Sequence, residues 1–327
     1  SYTLINTNGN WATEGTNGEL SLEFSQEAFT TNTTTWDGST SAVWNLAGNW
    51  SNGIPTSSSL VSIPNVATAP IISSGTTALA GNLTIESGEI LTINSDNSLT
   101  VSGLLTITGD LTINNGGSLI VNGTSTGNLT YNVNVTDTNW HLVSSPVVGE
   151  QYDDAWNTVN SINVSGAGLN DAVSTYNNNT STNGVWEYFQ TGGTATTFNQ
   201  GQGYSLKRTG AGNYGFIGTF PTSNVQLTIT QGFGALNKWN FIGNPFPAYI
   251  KVSELITANA ANLTDVREFV YIWNGTNYAV LAGTDYIHPG QGFFVNADNS
   301  TANNFAITKS LQSHQTGITL NKAASNP

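Results

Sequence analysis

Apolar and polar residues alternate in short runs along most of this chain, and they rarely recur at the three- and four-residue spacing of a helix. In Glu19-Leu-Ser-Leu-Glu-Phe24, Leu20, Leu22 and Phe24 point one way while Glu19, Ser21 and Glu23 point the other, the period of a half-buried strand. Between Leu60 and Val135 an apolar-Thr-apolar tripeptide keeps returning: Leu83-Thr-Ile85, Leu91-Thr-Ile93, Leu99-Thr-Val101, Leu105-Thr-Ile107, Leu111-Thr-Ile113 and, with Ile for Thr, Leu119-Ile-Val121. Their starts are separated by 8, 8, 6, 6 and 8 positions, with turn formers such as Thr108-Gly-Asp110 and Asn114-Asn-Gly-Gly117 between them. Each unit sends two apolar side chains inward and one side chain outward, then bends. Repeated, such units wind into a β-solenoid whose coils bury one continuous core, and three strands per coil predict a coil of about 22 residues. A β-meander is the alternative, although meander strands usually run longer, to about 5–6 residues.

Beyond the repeats the chain is duplicated. Asn139-Trp-His-Leu-Val-Ser-Ser-Pro146 matches Lys238-Trp-Asn-Phe-Ile-Gly-Asn-Pro245, 99 positions later at the Trp, and Gly201-Gln-Gly-Tyr-Ser-Leu206 matches Gly290-Gln-Gly-Phe-Phe-Val295, 89 positions later. Trp186 aligns with Trp273, Phe216 with Phe305, Tyr204 with Phe293, and Gln226-Leu-Thr-Ile229 with Gln315-Thr-Gly-Ile318. Two copies of one strand-built module are predicted, each a small antiparallel β-sandwich. The stretch Val252 to Ala260 is the only one with helical character, and Ser253 is placed to cap it.

The expected fold is therefore all-β, a short β-solenoid followed by two tandem antiparallel β-sandwich modules. Residues 1–35 form an N-terminal strand region, 36–59 a Trp-rich cap, 60–136 the solenoid, 137–233 the first module copy and 234–327 the second. In the cap, Trp36, Trp44 and Trp50 fall within fifteen positions, broken by Gly and Asn. They read as a hydrophobic plug over the solenoid end or as a platform for stacking sugars.

Composition narrows the function. Only 8% of residues are charged, against about 25% in ordinary soluble domains, so Ser, Thr, Asn and Gly make the polar surface. Such a surface suits packing against copies of the same chain or against glycans. The 9 Trp, 11 Tyr and 13 Phe exclude a disordered low-complexity chain. Lys and Arg number 7 in a net charge of -13, which excludes neutralisation of a nucleic-acid backbone. No apolar run approaches the ~20 residues of a membrane span. Cys and Met are both absent, which excludes disulfides, zinc-thiolate sites and thiol catalysis and suits an exposed location. Ser1 reads as the start of a processed chain, and Pro327 as the end of a complete array.

Nothing points to catalysis, and the chain is expected not to be an enzyme. His141, His288 and His314 are the only histidines, and Ser144-Ser145 sits in no nucleophile elbow. Asp153-Asp154 is the only adjacent acidic pair, and its carboxylates would face opposite sides of a strand. Calcium is the one cofactor left open, since hard cations favour clustered oxygens, although no calcium-loop pattern is present. From Leu83 to Val121 there is no Lys, Arg, His or Tyr, which argues against a polysaccharide lyase built on the solenoid face.

Trp239-Asn-Phe-Ile-Gly-Asn-Pro-Phe-Pro247, Val270-Tyr-Ile-Trp-Asn274 and His288-Pro-Gly-Gln-Gly-Phe-Phe294 together resemble surface proteins of Bacteroidota, flavobacteria especially, as does a Trp36-to-Pro55 cluster leading into a solenoid. The resemblance implies secretion across both membranes, commonly by the type IX route, and display outside the cell. Such proteins usually end in a sorting domain, which this sequence does not show before Pro327; a cleaved signal or another attachment is implied. The expected function is a non-enzymatic structural or adhesive surface protein, a fibre or layer subunit that donates the Leu20-Leu22-Phe24 strand to a neighbouring copy. The alternative is a carbohydrate-binding surface protein that accompanies polysaccharide degradation, with Trp36, Trp44 and Trp50 as its platform.

Overall fold

The computed structural model describes residues 32–235, 237–298 and 303–320. The proposed donor residues Leu20, Leu22 and Phe24 lie outside them.

The tripeptides become strands of a three-sided parallel solenoid of about three turns. One side stacks Thr33–Thr35, Leu60–Ile63, Asn82–Ile85, Leu105–Ile107 and Ser125–Thr126. A second stacks Thr77–Ala80, Ser98–Val101 and Ser118–Val121, and a third Ile71–Ile72, Ile90–Ile93, Asp110–Ile113 and Asn128–Val135. Leu60 lies opposite Asn82, 22 positions on, and Ile90 opposite Asp110, 20 positions on. In this register Leu83 stacks on Leu105 and Leu91 on Leu111, while Thr84 stacks on Thr106 and Thr92 on Thr112. Leu83, Leu91, Leu99, Leu105, Leu111 and Leu119 are buried, while Thr84, Thr92, Thr106 and Thr112 stay half-exposed. Such like-on-like stacking closes a core around the axis, which short antiparallel strands of a meander would leave open. Along the third side the side-chain amides of Asn94, Asn114 and Asn132 join in a ladder of hydrogen bonds, at 3.0 and 3.4 Å.

The cap closes one end. Trp36, Trp44 and Trp50 meet edge to face, with centroids 5.0 and 4.7 Å apart, and are only 0, 1 and 5% exposed. The indoles of Trp36 and Trp50 donate to the carbonyls of Thr68 and Trp44. With their faces covered by one another, these rings offer a sugar nothing to stack on; they plug the core, and the sugar-platform expectation for them is corrected.

The duplication is carried by topology. In the first copy Trp140–Val143, Tyr204–Lys207, Asn170–Asn177 and Val185–Gln190 form an antiparallel sheet in that order; in the second, Trp239–Gly243, Gly292–Asn296, Val270–Trp273 and Tyr278–Leu281 take the same places. Helix α1, Asp154–Val159, and helix α2, Val252–Asn259, correspond, as do the ribbons Asn128–Val135 with Gly212–Thr219 and Val225–Ile229 with Asn303–Ile307. Several sequence expectations are thereby corrected. Asn128–Val135 is at once the last rung of the solenoid and the first strand of copy one, so the two share a core and no boundary falls at 136. Val225–Ile229 opens copy two and matches Asn128–Val135; Gln315 to Ile318 is not its counterpart. Tyr176 faces Trp186 across one hairpin and Trp273 faces Tyr278 across the other, so Trp186 corresponds to Tyr278 and Tyr176 to Trp273. Helix α1 went unread because it is only six residues long, capped by Asp153 accepting from the Trp156 amide at 2.8 Å. In α2 the cap position is Lys251, and Ser253 makes no capping bond.

In the second copy one face of the four-stranded sheet, through Ile242, Ile272, Phe293 and Val295, packs on Ile229, Phe305 and Ile307 of its own ribbon. The opposite faces of the two four-stranded sheets meet each other, around the buried Leu142, Phe241 and Phe294. The duplicated Gly-Gln-Gly segments are the seam of this internal two-fold arrangement. Ser144 N donates to Gly290 O at 2.9 Å, and its counterpart Gly243 N donates to Gly201 O at 2.8 Å. Gly201 and Gly290 both take left-handed backbone, at φ 73° and 72°, which glycine alone adopts without strain. A Cβ on Gly292 would lie 2.7 Å from the Val143 carbonyl oxygen of the other copy. Gly292→Ala should therefore destabilise the protein by about 1–3 kcal/mol, the usual toll of overpacking, read as a lower urea midpoint; an unshifted midpoint would show that the seam yields freely.

The second copy also rests on the solenoid flank. Leu119 N donates to Pro247 O at 2.7 Å, and the Tyr249 hydroxyl to Gly116 O at 3.1 Å. Beyond copy two, Gln312–Ser313 pairs with Tyr249–Lys251, and His314 bonds Thr100 and Ser118 of the solenoid.

Candidate aromatic cleft

Register places one row of rings between the two sheets. On the second sheet Phe241 pairs with Phe294, Tyr271 with Phe294, and Trp273 with Tyr278, so with Trp239 two residues before Phe241 all six share one face. On the first sheet Trp140 pairs with Lys207, Leu142 with Ser205 and Tyr176 with Trp186, and Tyr188 follows Trp186 on the same face. The centre of this meeting is closed: Phe241 and Phe294 stack at 4.6 Å, and Trp186 packs edge-on to Phe241 at 5.5 Å. The periphery is open. Trp140, Tyr176, Trp186, Trp239, Tyr271 and Trp273 are half-buried, and Tyr278 and Tyr188 are 52 and 40% exposed.

A cavity of about 430 Å³ lies among Tyr176, Trp186, Trp239, Tyr271, Tyr278 and Phe294, with Asn183 and Arg267 at its wall. It falls within the roughly 300–1,000 Å³ of small-molecule sites. A smaller hollow of about 170 Å³ shares Trp186 and Tyr278 with it and leads to Trp140 and Tyr188. A third, of about 260 Å³, continues past those two rings to Lys207. A polar hollow of about 400 Å³ shares Tyr176 and Trp239 with the first and is lined by Asn177, Asn178, Gln202, Asn240 and Phe241.

Electrostatics are simple here. The Arg267 guanidinium sits 5.4 Å over the Trp239 ring, a cation–π arrangement. Burial raises the Tyr271 phenol pKa, with Arg267 pulling the other way, and burial, then Tyr176, raises that of Tyr278. Both hydroxyls are therefore neutral at pH 7 and free to donate.

The chemistry-bearing residues read from the sequence lie elsewhere, apart from one another. Asp153 accepts from Trp156 N, and both Asp154 carboxylate oxygens accept from Gly192 N. Among the described residues no group of three His, Cys, Asp or Glu gathers to hold a metal ion. His141 Nε2 is 3.3 Å from Asp137, and burial lowers the imidazole pKa against that carboxylate's pull. His314 Nδ1 lies 2.7 Å from Ser118 Oγ, but Ser118 is wholly buried, so no substrate carbonyl can reach the pair. Ser144, also wholly buried, lies at the seam between the copies.

The sequence did carry a signal for the cleft. Val270-Tyr-Ile-Trp273 and Gly292-Phe-Phe-Val295 are apolar at consecutive positions, so both faces of those strands need a partner. The sequence could not say that the second partner is the other copy.

A family model for a domain of unknown function, DUF8693, matches residues 35–285, from the cap through the first sheet and the strands of the second sheet up to Tyr278–Leu281, leaving out Gly292–Asn296. The chain belongs to this family. No curated protein and no solved structure matches it. For DUF8693 the match spans the cap, the solenoid and most of the aromatic cleft, so the sheets that build the cleft fall largely inside the family's own segment.

Proposed function

We propose that this chain is a non-catalytic adhesive protein of a bacterial cell surface which holds saccharide in the aromatic cleft between its two module copies. The cleft carries the reading: half-exposed rings line a recess, and neutral phenols and amides stand beside them. The apolar face of a pyranose stacks on such rings while its hydroxyls pair with polar neighbours. Display outside the cell, in Bacteroidota by the type IX route, belongs to the same proposal. Its support is the sulfur-free, charge-poor sequence and the resemblance carried by Trp239 to Pro247. Among the described residues no helix is long and apolar enough to cross a membrane. The fibre reading depends on Leu20, Leu22 and Phe24, and no described residue bears on it.

The test is a glycan array followed by calorimetry on the saccharides retained, with Tyr278→Ala as the variant. Tyr278 is half exposed, so the fold should persist with an unchanged unfolding midpoint. Affinity should fall by about thirtyfold, the loss of one anchoring aromatic. An array on which nothing is retained, or a Tyr278→Ala protein that binds as the parent does, overturns the reading.

A further inference from the structure

We infer that the saccharide is anionic: a chain of uronate units whose carboxylates meet Arg267 at one end of the aromatic row and Lys207 at the other. This rests on the saccharide reading above and names the ligand class of that site.

Basic residues are scarce, 7 Lys and Arg against 20 Asp and Glu. Two of the seven nevertheless stand on this one row, each beside a tryptophan in the equivalent place of its copy. Arg267 lies over Trp239, and Lys207 is the cross-strand partner of Trp140. The hollows between these ends are neighbours, the first two sharing Trp186 and Tyr278 and the next two Trp140 and Tyr188 as walls. No carboxylate lines the two hollows around Trp186 and Tyr278. Asp171 lines the outermost one, but its oxygens are held by Asn157 and Thr191, and Glu187 lines only the amide hollow beyond Tyr176. Among the described residues neither Arg267 nor Lys207 is in an ion pair.

An aromatic recess alone also fits a quaternary ammonium ion. Here Arg267 already occupies the face of Trp239, and its charge repels a cationic guest. A guanidinium instead matches a carboxylate in two parallel hydrogen bonds. The net charge of -13 would repel a polyanion at long range, but that repulsion is screened beyond about 8 Å at physiological salt, so cations in contact decide.

The experiment titrates the protein at pH 7 with tetragalacturonate, tetramannuronate and the methyl ester of each, in parent and Arg267→Gln forms of equal unfolding midpoint. At least one free acid should bind about tenfold more tightly than its own ester, and Arg267→Gln should erase that difference between acid and ester. Equal affinity for acid and ester, or indifference to Arg267→Gln, overturns the anionic inference and leaves the saccharide reading standing. Absence of binding by every uronate, every ester and every array glycan overturns both.

Discussion

Acidification from pH 7 to pH 4 should remove about 6 kcal/mol of stability through two buried histidines, His288 and His314. Burial pushes both imidazoles down to about 4 from the ordinary 6.5. In the unfolded chain they take up protons as the pH falls through 6.5, whereas in the folded protein they resist until about 4. The unfolded state thus binds more protons throughout that window, and stability declines across it by roughly 3 kcal/mol per histidine. The geometry agrees. His288 is fully buried against Tyr249, its Nδ1 2.7 Å from the Pro289 carbonyl and its Nε2 without a partner, so a second proton would have nothing to bond. His314 sits between Thr100 and Ser118, two hydroxyls that cannot neutralise a charge. Relief of repulsion in so acidic a chain works the other way, so the readout is a difference. Urea unfolding free energies of the parent and of His288→Gln/His314→Gln, measured from pH 7 to 4, should converge as the parent falls. Parallel curves would refute the assignment. Both histidines lie where the second copy and the segment after it meet the solenoid, so that contact should open first.

Replacing Trp36 by Ala should destabilise the protein by about 3–5 kcal/mol, the range for truncating a buried aromatic in a core that cannot collapse. Trp36 is wholly buried, touches Trp50 edge to face and donates its indole N–H to Thr68 O. The solenoid core is one column of stacked side chains, and an uncapped end would expose Val61 and Ile63, now 4 and 0% exposed. Hydrogen exchange should accelerate first in Leu60–Ile63 and Asn82–Ile85 and least in the second copy, which has a core of its own. A loss below about 1 kcal/mol, or protection lost evenly along the chain, would show that the cap is decorative.

The solenoid was legible in the sequence because its period is local: Leu83-Thr-Ile85 and its relatives alternate within three residues, and the bends between them are written in Gly, Asn and Asp. The duplication was legible too, through Trp-x-x-x-x-x-Pro and Gly-Gln-Gly. What misled was alignment by residue identity. Trp186 and Trp273 share a letter, whereas pairing geometry matches Trp186 with Tyr278, both being stacking rings at the same rung. Likewise the Gln226 and Gln315 segments share a letter, although the first is a ribbon strand and the second follows the last one. For the site, the sequence offered the Trp-rich cap, and the structure turned those rings inward.

Alternation and repetition, properties of neighbours along the chain, were enough to specify strands, coils and two copies. Composition was enough to set aside thiol chemistry, since the sequence holds no Cys. Which face of each sheet meets which depends on contacts between residues some hundred positions apart, as where Ser144 bonds Gly290, and no local pattern encodes those. Tertiary packing alone therefore decided that the two sheets also meet each other, that Trp36, Trp44 and Trp50 close a core, and that Trp186, Trp239, Tyr271 and Tyr278 are left around an open cleft.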